Sequence, residues 1–192
     1  MYGPRMAQRR TLTPGYVVVY PNREKATSKA TKAAVSFILV VSAALILIIT
    51  IGGWSKLEGL KAVNFAWAIA YVLIAFYVQT RWTRGLLPIA AALAILLLIL
   101  AVIAGTGVSG TSWFDRQHAG FAAPQSLFGG DGLSPDMLGL LTLILIPVQA
   151  VLIIFAMRGF AQAWNVEVEV PEDEARRRGY HTAGRPPTPA AA

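Results

Sequence analysis

The fold turns on Ala33–Ile51, AAVSFILVVSAALILIITI, a run of 19 residues without a single charge, bracketed by Lys32 and Lys56. A bilayer hydrocarbon core about 30 Å thick takes roughly 20 residues of α-helix at about 1.5 Å per residue, so this run is long enough for one crossing. It is longer than the apolar region of a secretion signal, about 7–15 residues. It also follows 32 other residues, and Gly52-Gly53-Trp54 lacks the small-x-small pattern of a cleavage site. We therefore read it as a retained helix.

Three further stretches repeat the pattern. Ala62–Thr80, Leu86–Ala104 and Met137–Met157 are each free of charge, bounded by Lys61 and Arg81, by Arg84 and Asp115, and by Asp136 and Arg158. Four such helices buried in a soluble core would leave a 192-residue chain nothing polar with which to cover them. The expected fold class is an all-α integral membrane protein, a four-transmembrane-helix bundle with spans of about 33–51, 62–80, 86–104 and 137–157. Around it lie a cytoplasmic segment 1–32, an outer loop 105–136 and a cytoplasmic tail 159–192, disordered after about 171.

The composition agrees. Hydrophobic residues make up 55% of the chain and charged residues 14%, against about 25% charged in an ordinary soluble domain. The 17 basic and 10 acidic residues leave a net charge of +7, which in a soluble protein would suggest nucleic acid. Here the charge marks topology. Seven basic residues precede the first span, two (Arg81, Arg84) lie in the second loop, and five follow the fourth span. Only Lys56, Lys61 and Arg116 fall in the other two loops. Basic residues favour the cytoplasmic side, so both termini are expected inside, N-in/C-in. Lys25, Lys29 and Lys32 would share a helical face beside the first span, where anionic lipid attracts charge, but orientation alone already requires them. No nucleic-acid partner is expected. Arg outnumbers Lys 12 to 5 amid abundant Ala and Pro, as in GC-rich bacteria, so the expected location is the cell (cytoplasmic) membrane.

Local signals refine the helices. Arg81–Gly85 is short enough to make the second and third spans antiparallel neighbours. Ser134-Pro135-Asp136 is a strong helix start, with a capping hydroxyl, a proline at the first position and a carboxylate favoured by the dipole. Pro147 lies inside the fourth span, where it removes one backbone hydrogen bond and predicts a kink. Ala62, Ala66 and Ala70 recur at steps of four, a small-residue stripe that lets another helix approach closely. Asn64 and Gln149 are the amides placed to hydrogen-bond between helices. Trp54, Trp82 and Trp164 fall at helix ends, the depth amphipathic rings favour.

At the two ends of the chain, Tyr16–Tyr20 and Asn165–Val170 read as strands, the second by strict alternation, each closed by a proline. We expect them to pair as a short two-stranded cytoplasmic β-ribbon. In the outer loop, Trp113, Phe114, Asp115 and His118 are candidate contacts for a partner, since long loops of this kind are usually functional or disordered and the aromatic residues argue against disorder.

Chemistry is scarce. The chain has no cysteine, which excludes disulfides, thiolate metal sites and cysteine nucleophiles. Its two histidines, His118 and His181, lie outside the spans. Met137 and Met157 sit at opposite ends of one span and cannot share a haem. Asp115 and His118 make half a metal site at most. The spans hold none of the ionisable residues that proton pumps and ion-coupled transporters generally place in the membrane. No phosphate-binding loop, HExxH or nucleophile elbow is present. The expectation is no catalytic residue, no cofactor and no metal. Two functions remain open. One is an accessory or scaffold subunit of a larger membrane assembly, with the bilayer, other membrane subunits or itself as partners. The other is a small transporter, channel or lipid-handling protein with a polar site near Pro147, Gln149 and Asn64.

Overall fold

The computed structural model describes residues 13–106, 112–118 and 124–180. In order the elements are β1 (Tyr16–Val19), α1 (Pro21–Glu24), α2 (Ala26–Gly52), two 3₁₀ turns (Trp54–Lys56 and Glu58–Leu60), α3 (Lys61–Arg81), α4 (Leu86–Thr106), α5 (Trp113–His118), α6 (Pro135–Ala161), β2 (Val168–Pro171) and α7 (Glu172–Arg177). Four of these, α2, α3, α4 and α6, are long and apolar enough to cross a membrane. Each contains the span expected from the sequence. At about 1.5 Å per residue, the 27 residues of α2 and α6 reach about 40 Å and the 21 of α3 and α4 about 32 Å.

The start of α6 follows from its first residues. The Ser134 hydroxyl accepts from the Met137 N–H at 3.3 Å, Pro135 occupies the first turn, and Asp136 faces the dipole. Pro147 stays within a continuous helix, its ring exposed on the outer side. α2 begins well before its apolar run, because Lys29 pairs with Glu24 at 2.8 Å and Lys32 reaches the carbonyl of Gln79 at 3.1 Å.

Which faces turn inward is set by residue size and polarity. Along α6 the buried positions Leu138, Thr142, Leu145, Gln149, Leu152, Ala156 and Gly159 alternate by four and three. Along α2, Val35, Leu39, Ser42, Ile46 and Ile49 do the same. This is the spacing of left-handed helix packing. The buried face of α4 is nearly all small: Ala90, Ala91, Ala94, Ala101 and Gly105. The exposed faces carry the large side chains instead, among them Phe37 at 69% exposure, Phe76, Ile89, Leu96, Leu140 and Ile154.

α2 and α6 form the centre, α3 packs along α2, and α4 packs along α6. The tight turn at 82–85 joins α3 to α4, but the expectation that they pack as a hairpin holds only near that turn. Their small faces are taken by α2 and α6, so the two helices separate toward the opposite end.

β1 and β2 pair antiparallel in the register Tyr16↔Pro171 to Val19↔Val168, which brings the two ends of the chain together as the alternation implied. The ribbon is held to the bundle end. Asn22 Nδ2 donates to the Ala163 carbonyl at 3.1 Å, and Arg23 Nε to the Trp164 carbonyl at 2.9 Å. The expected disorder after 171 is corrected for the first stretch, which forms α7. There Glu172, Asp173 and Glu174 meet Arg176, Arg177 and Arg178 four residues on, at 3.6, 4.0 and 2.6 Å. The remainder of that expectation, together with His181 and the loop parts 107–111 and 119–123, lies outside the described residues.

Candidate functional site

Two features lie inside the bundle. The first is a polar clamp joining three helices. The Tyr71 hydroxyl of α3 donates to Gln149 Oε1 of α6 at 2.9 Å, and Gln149 Nε2 donates to Ser42 Oγ of α2 at 3.0 Å. The Ser42 hydroxyl in turn donates to the Ile38 carbonyl one turn back, at 2.8 Å. All three side chains are fully buried. In low-dielectric surroundings a buried amide is costly unless it is satisfied, and here both ends of the Gln149 amide are engaged.

The second feature is a cavity of about 360 Å³ on the side of the clamp away from the termini. It lies where α3 and α4 have separated. Ile46 and Leu145 line its inner end, each one turn from Ser42 and Gln149, and Trp67 lies one turn from Tyr71. The clamp therefore closes the cavity from below. The Trp67 indole N–H is buried and neighbours the Tyr71 hydroxyl, but makes no well-formed hydrogen bond. Leu60, Val63, Leu100 and Ile103 form an exposed rim. Asn64 reaches this space from the first turn of α3, and its Nδ2 donates to Thr50 Oγ1 at 3.1 Å.

The candidate residues from the sequence are thus distributed rather than assembled. Gln149 and Asn64 each join two helices, as expected of interhelical amides, but they belong to separate networks, and Pro147 points away from both. A single polar site made of Pro147, Gln149 and Asn64 does not form. Ala62 and Ala66 are exposed on the perimeter and Ala70 is half-buried. The stripe therefore makes no close helix approach within the chain, where Ala68 and Ala75 are buried instead.

The outer-loop candidates also turn inward. Trp113 is 5% exposed and packs with Ile49, Ala101, Leu138 and Leu145. The Phe114 ring lies over Gly139, where an added Cβ would come within 2.6 Å of it. Asp115 is occupied in capping α5, since its Oδ2 accepts from the Ser112 backbone N–H at 3.1 Å and the Ser112 hydroxyl at 2.7 Å. The backbone of His118 ends α5, and its side chain lies outside the described residues. Among the described residues, no group of three His, Asp or Glu side chains converges.

At the ribbon end, basic residues cover the carbonyl ends of helices. Arg84 Nε donates to the Phe160 carbonyl at 2.7 Å and Arg84 Nη1 to Asn165 Oδ1 at 2.9 Å, while Lys32 caps α3 and lies over the Trp82 ring at 4.0 Å. Cations are favoured there by the helix dipole. Trp82 holds a left-handed backbone conformation, φ 53°, braced edge-to-face against Trp164 at 5.3 Å. Trp164 is fully buried, its N–H donating to Gln162 Oε1 at 2.9 Å, so it is a core residue rather than an interfacial one. The Tyr20 hydroxyl donates to Glu167 Oε1 at 2.9 Å, and this bond, with lesser burial, raises its pKa above the ordinary 10.0.

Sequence reasoning missed Ser42 and Tyr71 as partners of Gln149. The available signal was a hydroxyl in each of the first two apolar runs and an amide in the fourth. The residues around the cavity, nearly all apolar, carried no signal at all.

In comparisons with known proteins, the chain matches no protein family, and no curated protein or solved structure is significantly similar to it. The fold defines a class by itself: among the described residues, four of the helices are long and apolar enough to cross a membrane.

Proposed function

We propose that this is an integral membrane protein crossing the cytoplasmic membrane four times with both termini inside, and that it serves as a non-enzymatic structural subunit of a larger membrane assembly. The observation that carries the membrane reading is the girdle of exposed large apolar side chains along the four long helices. Large apolar residues form an exposed girdle on all four long helices, while the contacts between helices mix Leu, Ile and Val with Ser, Thr, Gln, Ala and Gly. A protein in water would leave such a girdle open to association, whereas in lipid it faces its own kind, and small residues supply close packing. The basic residues at the ribbon end support an inside position for that end.

The structural role is supported by the interior. Its amides hydrogen-bond to other helices, and Trp113 and Phe114 of the outer loop pack on the bundle. The exposed Ala62 and Ala66 supply a perimeter face suited to another helix. A transporter would need a polar route, and the side chains it would use, Asn64 and Gln149, lie in separate hydrogen-bond networks.

Two measurements test this. A reporter fused after Ala192 is expected to be active only on the cytoplasmic side, and activity on the other side refutes the orientation. Extraction in mild detergent followed by mass spectrometry is expected to recover a stoichiometric membrane partner. Purification of the chain alone refutes the subunit role.

A further inference from the structure

We propose that the cavity between α3 and α4 is a binding site for one acyl chain of a membrane phospholipid with an anionic headgroup, the phosphate lying against Lys61. This rests on the membrane reading above. The cavity lies in the half of the bundle away from the ribbon, and its rim residues Leu60, Val63, Leu100 and Ile103 belong to the same exposed girdle as the helix perimeter. It therefore opens sideways, toward where acyl chains would lie, and its apolar wall offers water few partners. Its volume of about 360 Å³ is within the range of small-molecule sites, roughly 300–1,000 Å³.

The polar groups are ordered along α3 as an amphipathic lipid requires. Lys61 begins the helix, Asn64 follows about 4.5 Å deeper, and Trp67 about 9 Å deeper, at about 1.5 Å per residue. Lys61 Nζ lies 4.6 Å from the Trp54 ring centroid, a contact that leaves its ammonium able to receive a phosphate. Asn64 stands at the depth of an ester carbonyl. Below it the wall is apolar apart from Thr142, whose hydroxyl donates to the Leu138 carbonyl, down to Trp67, Ile46 and Leu145, one turn from the Tyr71–Gln149–Ser42 clamp. The site thus has an amide near its mouth and a closed end, with Lys61 outside the lining one turn above Asn64. The fit is to a bilayer lipid held in place rather than to a solute in passage.

The test is fluorescence quenching of the full chain reconstituted in phosphatidylcholine vesicles, with phosphatidylglycerol or phosphatidylcholine brominated on one acyl chain as probe. Trp113 borders the cavity and is otherwise buried, so its share of the emission, taken as wild type minus Trp113→Phe, reports on the interior. Brominated phosphatidylglycerol is expected to abolish most of that share, more strongly than brominated phosphatidylcholine, and Lys61→Gln is expected to erase the difference. Ala101→Phe, which fills the cavity, is expected to protect Trp113. Val63→Phe narrows the exposed rim without touching the core and is expected to protect it as well. Retention of the protein on vesicles after alkaline washing is scored separately. Loss from the vesicles overturns the membrane reading itself. With the protein retained, the acyl site alone is overturned if the Trp113 share is unquenched by brominated lipid, if it is equally quenched in both filled variants, or if it is quenched by aqueous acrylamide instead. It is also overturned by quenching that emerges only on diluting the protein in the bilayer, since a second copy then occupies the gap. Equal quenching by the two brominated lipids in the wild type overturns the headgroup assignment.

Discussion

Replacing Gln149 by Leu keeps the side chain's approximate volume and removes both of its hydrogen bonds, the one accepted from Tyr71 at 2.9 Å and the one donated to Ser42 at 3.0 Å. Interhelical hydrogen bonds in membrane proteins average about 0.6 kcal/mol, so the two together contribute about 1 kcal/mol. The partners fare differently. Ser42 keeps its bond to the Ile38 carbonyl, whereas the fully buried Tyr71 hydroxyl is left without an acceptor, at a cost of about 1–3 kcal/mol. The expected destabilisation is therefore about 2 kcal/mol. Tyr71→Phe removes only the donor and is expected to cost about 1 kcal/mol. In the double variant the orphaned hydroxyl is gone, so the sum of the single effects should exceed the double effect by about 0.5–1 kcal/mol, as for residues in one network. Reversible unfolding in mixed micelles, followed by circular dichroism, measures all three. A Gln149→Leu variant as stable as wild type, or strictly additive effects, refutes the clamp.

Three other outcomes follow from the geometry. Arg84→Met removes two hydrogen bonds and a charge at the end of α6 and is expected to lower stability by about 1–2 kcal/mol in the same unfolding assay, with Arg84→Lys recovering only part because Lys lacks the guanidinium fork. Gly139→Val places a side chain where the Phe114 ring sits, so limited proteolysis should cut the outer loop faster than in wild type while α2–α4 remain helical. The raised pKa of Tyr20 means that the folded ribbon holds this proton more tightly than the unfolded chain does. Its contribution to stability is complete below pH about 10 and is lost as the pH rises through the folded value. A tyrosinate absorbance titration of wild type against Tyr20→Phe should reveal this late-titrating group, and a Tyr20 midpoint at or below the ordinary value contradicts the bond to Glu167.

Much of the architecture was legible in the chain itself. Long uncharged runs of this length have the composition and reach of apolar helices, and Ser134-Pro135-Asp136 marked the start of α6 because capping is a local interaction. Alternation in Asn165–Val170 pointed to β2, although the strand itself starts only at Val168, after a turn through Trp164 and Asn165, and its partner at Tyr16–Val19 is about 150 residues away. The sites were harder. In a uniformly apolar helix, hydropathy does not distinguish the buried face from the exposed one. Trp113 and Phe114, read as an outward contact, turn inward because Gly139 leaves room for a ring. Gln149 and Asn64, near in depth, prove to have different partners.

The sequence alone therefore determined the four long apolar helices, the start of α6 and the closure of the termini, since each depends on local charge, capping or alternation. Only the tertiary structure decided that Gln149 joins Tyr71 and Ser42, and that α3 and α4 part to leave an apolar cavity. Both depend on which helix faces which, and that choice is made by close packing of small residues from distant parts of the chain.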